Sequence, residues 1–323
     1  MENTSPIQEY GVDTLPCSLD GLSDEWFEKI NGCEKENEVI SRPSTSYWQD
    51  AWKRFKKDPL AMAGLITILL ISAFALFYPM LSPYSYDGQN IAIQNQGPSM
   101  EHWFGTDKFG RDIFIRILYG ARISLTVGVV SAFISLIIGV IYGGISGYFG
   151  GKLDMVMMRI VDILIGLPSL LYIILIMIFL GNTIQSILLA LCLTYWISTA
   201  RMVRSQVLTL KHQDYVLAAR IIGASDMKIL FRHLIPNSMG PIIVTVTFLI
   251  PQAIFSEAFL SFLGIGIQVP MASWGTLANE AIPYIFTYPY QLLFPALAIS
   301  ITMFSLNFIG DGLRDALDPR LKK

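Results

Sequence analysis

An all-α membrane protein with six spanning helices is the fold the sequence predicts, and three observations predict it. Hydrophobic residues make up 53% of the 323, charged residues only 15%, and the mean hydropathy is +0.51. That leaves too little polar surface for a water-soluble domain of this size. The apolar residues gather into charge-free runs at 59–86, 123–151, 163–200, 234–256 and 281–310, each long enough for a helix of about 20 residues to cross a bilayer. The third run has 38 residues and a turn sequence, Gly181-Asn182-Thr183, so it is read as two spans. Last, placing the N-terminus in the cytoplasm puts 19 of the 23 Lys and Arg inside and leaves Lys108, Arg111, Arg116 and Arg122 outside. That asymmetry orients the chain with both termini in the cytoplasm.

The elements follow in order. Residues 1–46 carry ten acidic and three basic residues, a composition that cannot bury enough apolar surface to fold, and a solvated cytoplasmic arm is expected. The arm does not have the pattern of a cleavable signal peptide, so the first span is expected to direct insertion. Over 47–58, Trp48, Trp52 and Phe55 recur at helical spacing while Lys53, Arg54, Lys56 and Lys57 take the other positions. That is the pattern of an amphipathic helix lying in the membrane interface. The main domain, 59–323, opens with the first span, which Pro79 and Pro83 are expected to break at its far side. The external loop 82–122 places glycine turns beside charges at Gly105-Thr106-Asp107, Gly110-Arg111-Asp112 and Gly120-Ala121-Arg122, so its Asp and Arg side chains are expected to pair with one another. In the second span Gly139, Gly143, Gly147 and Gly151 share one face; they allow close approach of a neighbouring helix, within the chain or across a subunit interface. Arg159 and Asp162 are spaced to pair across one turn.

The segment 203–239 is polar and punctuated, unlike the runs on either side. Ala218 and Ala219 give a helix a small-residue face, and Gly223 can end that helix in the left-handed conformation. Ser225 then suits the N-cap of a second short helix, Asp226 its first turn, and Pro236 its end. Two short helices hinged at a glycine result, either an ordinary connection or a docking element.

Chemistry is sparse elsewhere. No GxxxxGK[ST] string exists, so any ATP must be used by another protein. His102, His212 and His233 lie near polar loops, no GxSxG nucleophile string is present, and Cys17, Cys33 and Cys192 show neither disulfide nor zinc spacing. No catalytic, metal or cofactor-binding residue is assigned. Glu257 is an acid flanked by apolar runs on both sides; it is a candidate for a translocation path by default, with a hydrogen bond to a neighbouring helix as the alternative.

Four strings carry a resemblance. Ala218-Ala219, Gly223 and Leu234-Ile235-Pro236-Asn237 resemble the EAA loop of permease subunits of ATP-binding-cassette importers. Glu101–Ser124, Glu257–Trp274 (EAFLSFLGIGIQVPMASW) and Gly310–Lys322 (GDGLRDALDPRLK) are similar to the C-type permease subunits of oligopeptide, dipeptide and nickel importers, and the resemblance runs from about Leu60 to the last residue. It implies a type I importer permease fold in a bacterial cell membrane, paired with a homologous second permease subunit. Two ATPase subunits would bind the ATP and Mg, and an external binding protein would deliver a peptide substrate; lipid surrounds the chain and no nucleic acid is expected. Within 203–239 it implies ATPase docking by Tyr215, Ala218, Ala219, Arg220, Gly223, Ala224, Ser225 and Pro236. Leu217 departs from the pattern, standing where the EAA loop usually has Glu. A nickel importer is the alternative within this family, and a polytopic membrane enzyme the alternative outside it.

Overall fold

The computed structural model describes residues 46–267 and 270–318. The acidic arm, apart from Ser46, and the last five residues lie outside the described residues. Among the described residues the regular structure is helical, with no strand beyond one isolated bridge between Thr106 and Asp112.

A short helix, α1 (Tyr47–Phe55), turns at Lys56–Asp58 into α2 (Pro59–Leu81). Asp58 caps α2 by accepting from the Leu60 N–H at 2.9 Å, and Pro59 takes the first turn, where its missing N–H costs nothing. The expected break at Pro79 is not there: Pro79 sits inside α2. A proline within a helix orphans the carbonyl four residues earlier, here that of Ala75. The guanidinium of Arg122 fills the gap, its Nε donating to the Ala75 carbonyl at 2.5 Å and its Nη2 to that of Leu76 at 2.9 Å. The helix therefore continues past its proline.

The loop after α2, expected to be external and to span 82–122, is shorter than expected. Asp112 caps α3 (Ile113–Phe149), accepting from the Ile115 N–H at 2.9 Å, so Arg116 and Gly120-Ala121-Arg122 belong to a helix. At 37 residues α3 is about 55 Å long, well beyond the roughly 30 Å hydrocarbon core. It ends where Gly150 and Gly151 take φ of 65° and 58°, values that favour glycine. The helices α4 (Gly151–Gly166) and α5 (Ser169–Leu180) bend by 84° at Leu167–Pro168. The expected third span is thus a broken one. Gly181 then turns the chain with φ 82°, and Thr183 caps α6 (Ile184–Leu210), as the Gly-Asn-Thr turn predicted.

Two short helices, α7 (Asp214–Ile221) and α8 (Asp226–Ile229), lead through a π-helical stretch at Leu230–Leu234 and α9 (Ile235–Asn237) into α10 (Met239–Phe262). A short helix, α11 (Trp274–Ala281), precedes α12 (Tyr290–Leu317). Five of these helices are long and apolar enough to cross a membrane, and the bent pair brings the total to six.

Packing centres on α3 and α6. A Cβ on Gly139 would meet the Thr199 side chain at 2.6 Å, one on Gly143 would collide with the Ala200 carbonyl, and one on Gly147 would meet the Arg204 carbonyl at 2.8 Å. The glycine face therefore serves packing within the chain, with Gly151 outside it because that residue begins the next helix. Asp162 pairs with Arg201 of α6 at 2.5 Å, not with Arg159 as expected.

Loss of Arg122 tests the proline repair. Arg122→Met leaves the Ala75 carbonyl unpaired in an apolar setting and should cost about 1–3 kcal/mol. Pro79→Ala restores the missing N–H, so the double variant should recover most of that loss in a thermal-unfolding double-mutant cycle. Additive losses would show that Arg122 acts elsewhere.

Candidate docking loop and transmembrane groove

The end of α6 and the end of α3 lie side by side. Lys211 Nζ donates to the Gly147 carbonyl at 3.1 Å, while Arg204 grips Asp154 through Nε and Nη2 at 2.5 and 2.6 Å. The loop that follows is thereby braced from both helices. In α7, Val216 and Ala219 turn inward onto Tyr148, Val203, Val207 and Ile229. The expected shared face of Ala218 and Ala219 is split: Ala219 is buried and Ala218 is exposed beside Tyr215, Leu217 and Arg220.

Gly223 ends α7 as expected, at φ 84° with nothing near a notional Cβ. The Gly223 N–H donates to the Arg220 carbonyl at 2.9 Å and the Ala224 N–H to that of Ala219 at 3.0 Å, the paired bonds of a Schellman stop. Ser225 takes the N-cap position of α8, but its side chain makes no capping bond. Asp226 instead accepts from the Tyr148 hydroxyl at 2.6 Å, while the Arg220 guanidinium lies over the Tyr148 ring. Pro236 ends nothing. The Ile235 N–H reaches back five residues to Leu230, and the widened turn accommodates the proline within a continuous helical path. Around the hinge Leu217, Ile221, Ile222 and Met227 stand at least half exposed.

A second feature faces outward between α5, α6 and α10. Tyr172, Tyr195, Ser198, Arg201, Gln252 and Ser256 line a groove of about 780 Å³. The Tyr195 hydroxyl is 2.7 Å from Ser256 Oγ and donates to the Gln252 carbonyl at 3.2 Å. Glu257, the next residue, points the other way. It is fully buried, accepting from Ser124 Oγ at 2.9 Å and Ser261 Oγ at 2.8 Å, a hydrogen bond to a neighbouring helix. The groove residues were legible as a pattern, since Gln252, Ser256 and Phe259 recur at i, i+4 and i+7. Glu257 carries the stronger signal in the sequence because it is charged, whereas Gln252 and Ser256 are not.

On the other side, Arg111 and Arg116 are each 1% exposed, and both reach Asp107 and Glu280 at 2.6–2.8 Å. These ion pairs join the external loop and the start of α3 to α11. Arg–Asp pairing within the loop was expected; the partner on α11 was not.

Residues 135–323 match the binding-protein-dependent transport system inner membrane component family, and residues 46–98 match the N-terminal TM domain of oligopeptide transport permease C. The chain belongs to the binding-protein-dependent transport system inner membrane component family. The dipeptide transport system permease protein DppC of Bacillus subtilis is 52% identical over 94% of this chain and 95% of its own length. The oligopeptide transport system permease protein OppC of the same organism is 50% identical over 94% and 100%, and OppC of Escherichia coli is 44% identical over 93% and 99%. Among solved structures, the inward-facing MetNI methionine ABC transporter superposes with a TM-score of 0.50 at 18% identity, covering 64% of this chain and 96% of that one. That likeness shows the fold. As a member of this family the chain is a multi-pass membrane permease subunit, not an enzyme, and ATP hydrolysis belongs to partner ATPases.

The Tyr148–Asp226 bond is the clearest test of the brace. Tyr148→Phe keeps the buried ring and removes the hydroxyl, so amides of 214–229 should exchange with solvent several-fold faster while those of α3 do not change. Equal exchange in both proteins would show that the loop is held by its apolar core alone.

Proposed function

We propose that this permease subunit serves an ATP-driven importer of short peptides, forming half of the translocation path beside a second, homologous permease subunit. The observation that carries this is the end-to-end similarity, at 50% identity or more, to two permeases named for dipeptide and oligopeptide transport. The nickel alternative is not favoured by those names. Two ATPase subunits bind ATP and Mg, and an external binding protein delivers substrate to the face formed by the external loop and the 264–290 segment. The basic residues set the orientation: 19 of 23 lie on the side of 203–239, which is the cytoplasmic side.

The loop's exposed surface supports docking. Apolar side chains that reach water on both sides of a hinge mark an interaction site; Tyr215, Ala218, Arg220, Gly223, Ala224 and Ser225 belong to the same stretch, and Pro236, also exposed, lies farther along beside Gln206, Leu210 and Met239. Ala219 acts from beneath by fixing α7 to the chain. With Leu217 in place of the usual Glu, this contact is apolar at that position. Closure of the ATPase pair then pushes the two short helices, and the membrane helices alternate between inward and outward openings.

The groove between α5, α6 and α10 supports the path. Gln252, Ser198 and the Arg201–Asp162 pair would be costly against lipid tails, and a water-filled passage shared with a second subunit relieves that cost. Glu257 contributes by holding α10 to α3 behind this lining.

Gly223→Val forces a β-branched residue into the left-handed region, costing roughly 1–2 kcal/mol, and Ala218→Arg places a long cation on the exposed face. Both should release the ATPase subunits on purification, or retain them without stimulation by the loaded binding protein, while Gln213→Ala behaves as wild type. Normal ATP hydrolysis and peptide import in the first two would make 203–239 an ordinary connection.

Gln252 is exposed in this chain, so Gln252→Trp tests the groove with little strain on the fold. Import should fall more than tenfold with basal ATP hydrolysis retained, while Gln252→Ala imports within a few-fold of wild type. Full import by the tryptophan variant would place the path elsewhere.

A further inference from the structure

The short helix before the first span is held more firmly than an interfacial helix needs. Phe55 is buried between Ala61 and Ala316, and the Tyr47 hydroxyl donates to the Leu317 carbonyl at 3.0 Å. These contacts fix the rotation of α1, so its remaining faces point in set directions. Going round the helix from buried Ala51 and Phe55, Trp48 and Trp52 come next, each about half exposed. Lys56 and Lys53 follow, and the Arg54–Asp50 pair completes the turn. An aromatic strip therefore runs beside a basic one, and Lys56 Nζ lies 5.2 Å from the centre of the Trp52 ring.

Among the described residues the lysine charge on this surface is not paired. Asp50 is taken by Arg54 at 2.7 Å, and Asp58 caps α2. No ion pair among the described residues involves Lys53, Lys56 or Lys57, and all three are exposed. They stand at the very start of the first span, where Pro59 begins α2, at the level of lipid headgroups.

We propose that α1 is a binding site for an anionic phospholipid: Trp48 and Trp52 lie against the upper acyl chain, and Lys53, Lys56 and Lys57 hold the headgroup phosphate. The occupant follows from charge complementarity and position, because aromatic rings settle at the headgroup level and clustered lysines beside a span attract anionic lipid. Each lysine near such a surface is worth about fivefold in local enrichment. On the orientation proposed above the lipid belongs to the inner leaflet. The site ties lipid charge to the point where α1, α2 and the end of α12 meet.

The full-length chain in nanodiscs of phosphatidylcholine tests this with brominated lipids, which quench nearby tryptophan. The signal from Trp48 and Trp52 is isolated by subtracting that of Trp48→Phe/Trp52→Phe. Brominated phosphatidylglycerol should quench several-fold more than brominated phosphatidylcholine at the same bulk fraction, and high salt should reduce the ratio towards one. Lys53→Gln/Lys56→Gln/Lys57→Gln should bring the ratio close to one with phosphatidylcholine quenching intact, showing that the helix keeps its place. Inorganic phosphate should lower the ratio no more than chloride at equal ionic strength. A ratio of one in the wild type, or a raised ratio that survives both salt and the triple substitution, overturns the proposal. Stronger competition by phosphate than by chloride overturns it in favour of a free-anion site. Both leaflets carry the probe, so none of these outcomes depends on which way the chain is inserted or on what it transports.

Discussion

Within a bilayer no water is available to complete a hydrogen bond, so each backbone group and charge must find its partner inside the protein. Much of this structure follows from that constraint. Pro79 removes a donor from α2, and Arg122 of α3 supplies two to the carbonyls of Ala75 and Leu76. Glu257 is fully buried in α10 and accepts from two serines, and Trp274 sends its indole N–H to the Ile117 carbonyl. Arg111 and Arg116 share Asp107 and Glu280, although Nε and Nη2 of Arg116 have no partner among the described residues. Each repair joins elements that are distant in sequence, so meeting the hydrogen-bond requirement also determines the packing.

The close approach of α3 and α6 has consequences at the end that carries the 203–239 loop. With glycine at 139, 143 and 147 the two backbones come together along several turns, and the helix ends stay level enough for Lys211 to reach Gly147 and Tyr148 to reach Asp226. A loop attached to one helix alone could swing. Here α7 and α8 are held by both, with a left-handed turn at Gly223 between them.

The sequence conveyed the spans, their number and the glycine hinge well, because these depend on local composition and backbone preference. Features that depend on pairing between remote elements were less legible. Nothing near Arg122 in the sequence points to Pro79, 43 positions earlier, and nothing near Asp162 distinguishes Arg201 from Arg159. The start of α3 was missed for a related reason. Arg116 and Arg122 read as loop charges, and only the ion pairs with Asp107 and Glu280 and the capped carbonyls of α2 make them acceptable in a helix. Within 203–239 the small residues are legible, but which of Ala218 and Ala219 faces inward depends on the core beneath them. At the groove, hydroxyl and amide side chains carried a weaker signal than one carboxylate, and it was the carboxylate that proved to be turned inward and satisfied.

The expected stop at Pro236 would have placed a break between α8 and α10. The backbone instead stays in the right-handed helical region at Leu230, Ile235 and Ser238, and the π-turn at 230–234 accommodates the proline without breaking the path. From Asp226 to Phe262 the chain is thus one nearly continuous helical rod, with Ile229, Leu230 and Leu234 buried at its base and Gln252 and Ser256 farther along. A rod transmits a tilt along its whole length, whereas a hinged chain would absorb it. Between α8 and the residues that line the groove the path is helical apart from a single turn at Ser238, and Pro251 lies inside α10 just before Gln252. The left-handed turn at Gly223 lies at the other end of that path, between α7 and α8.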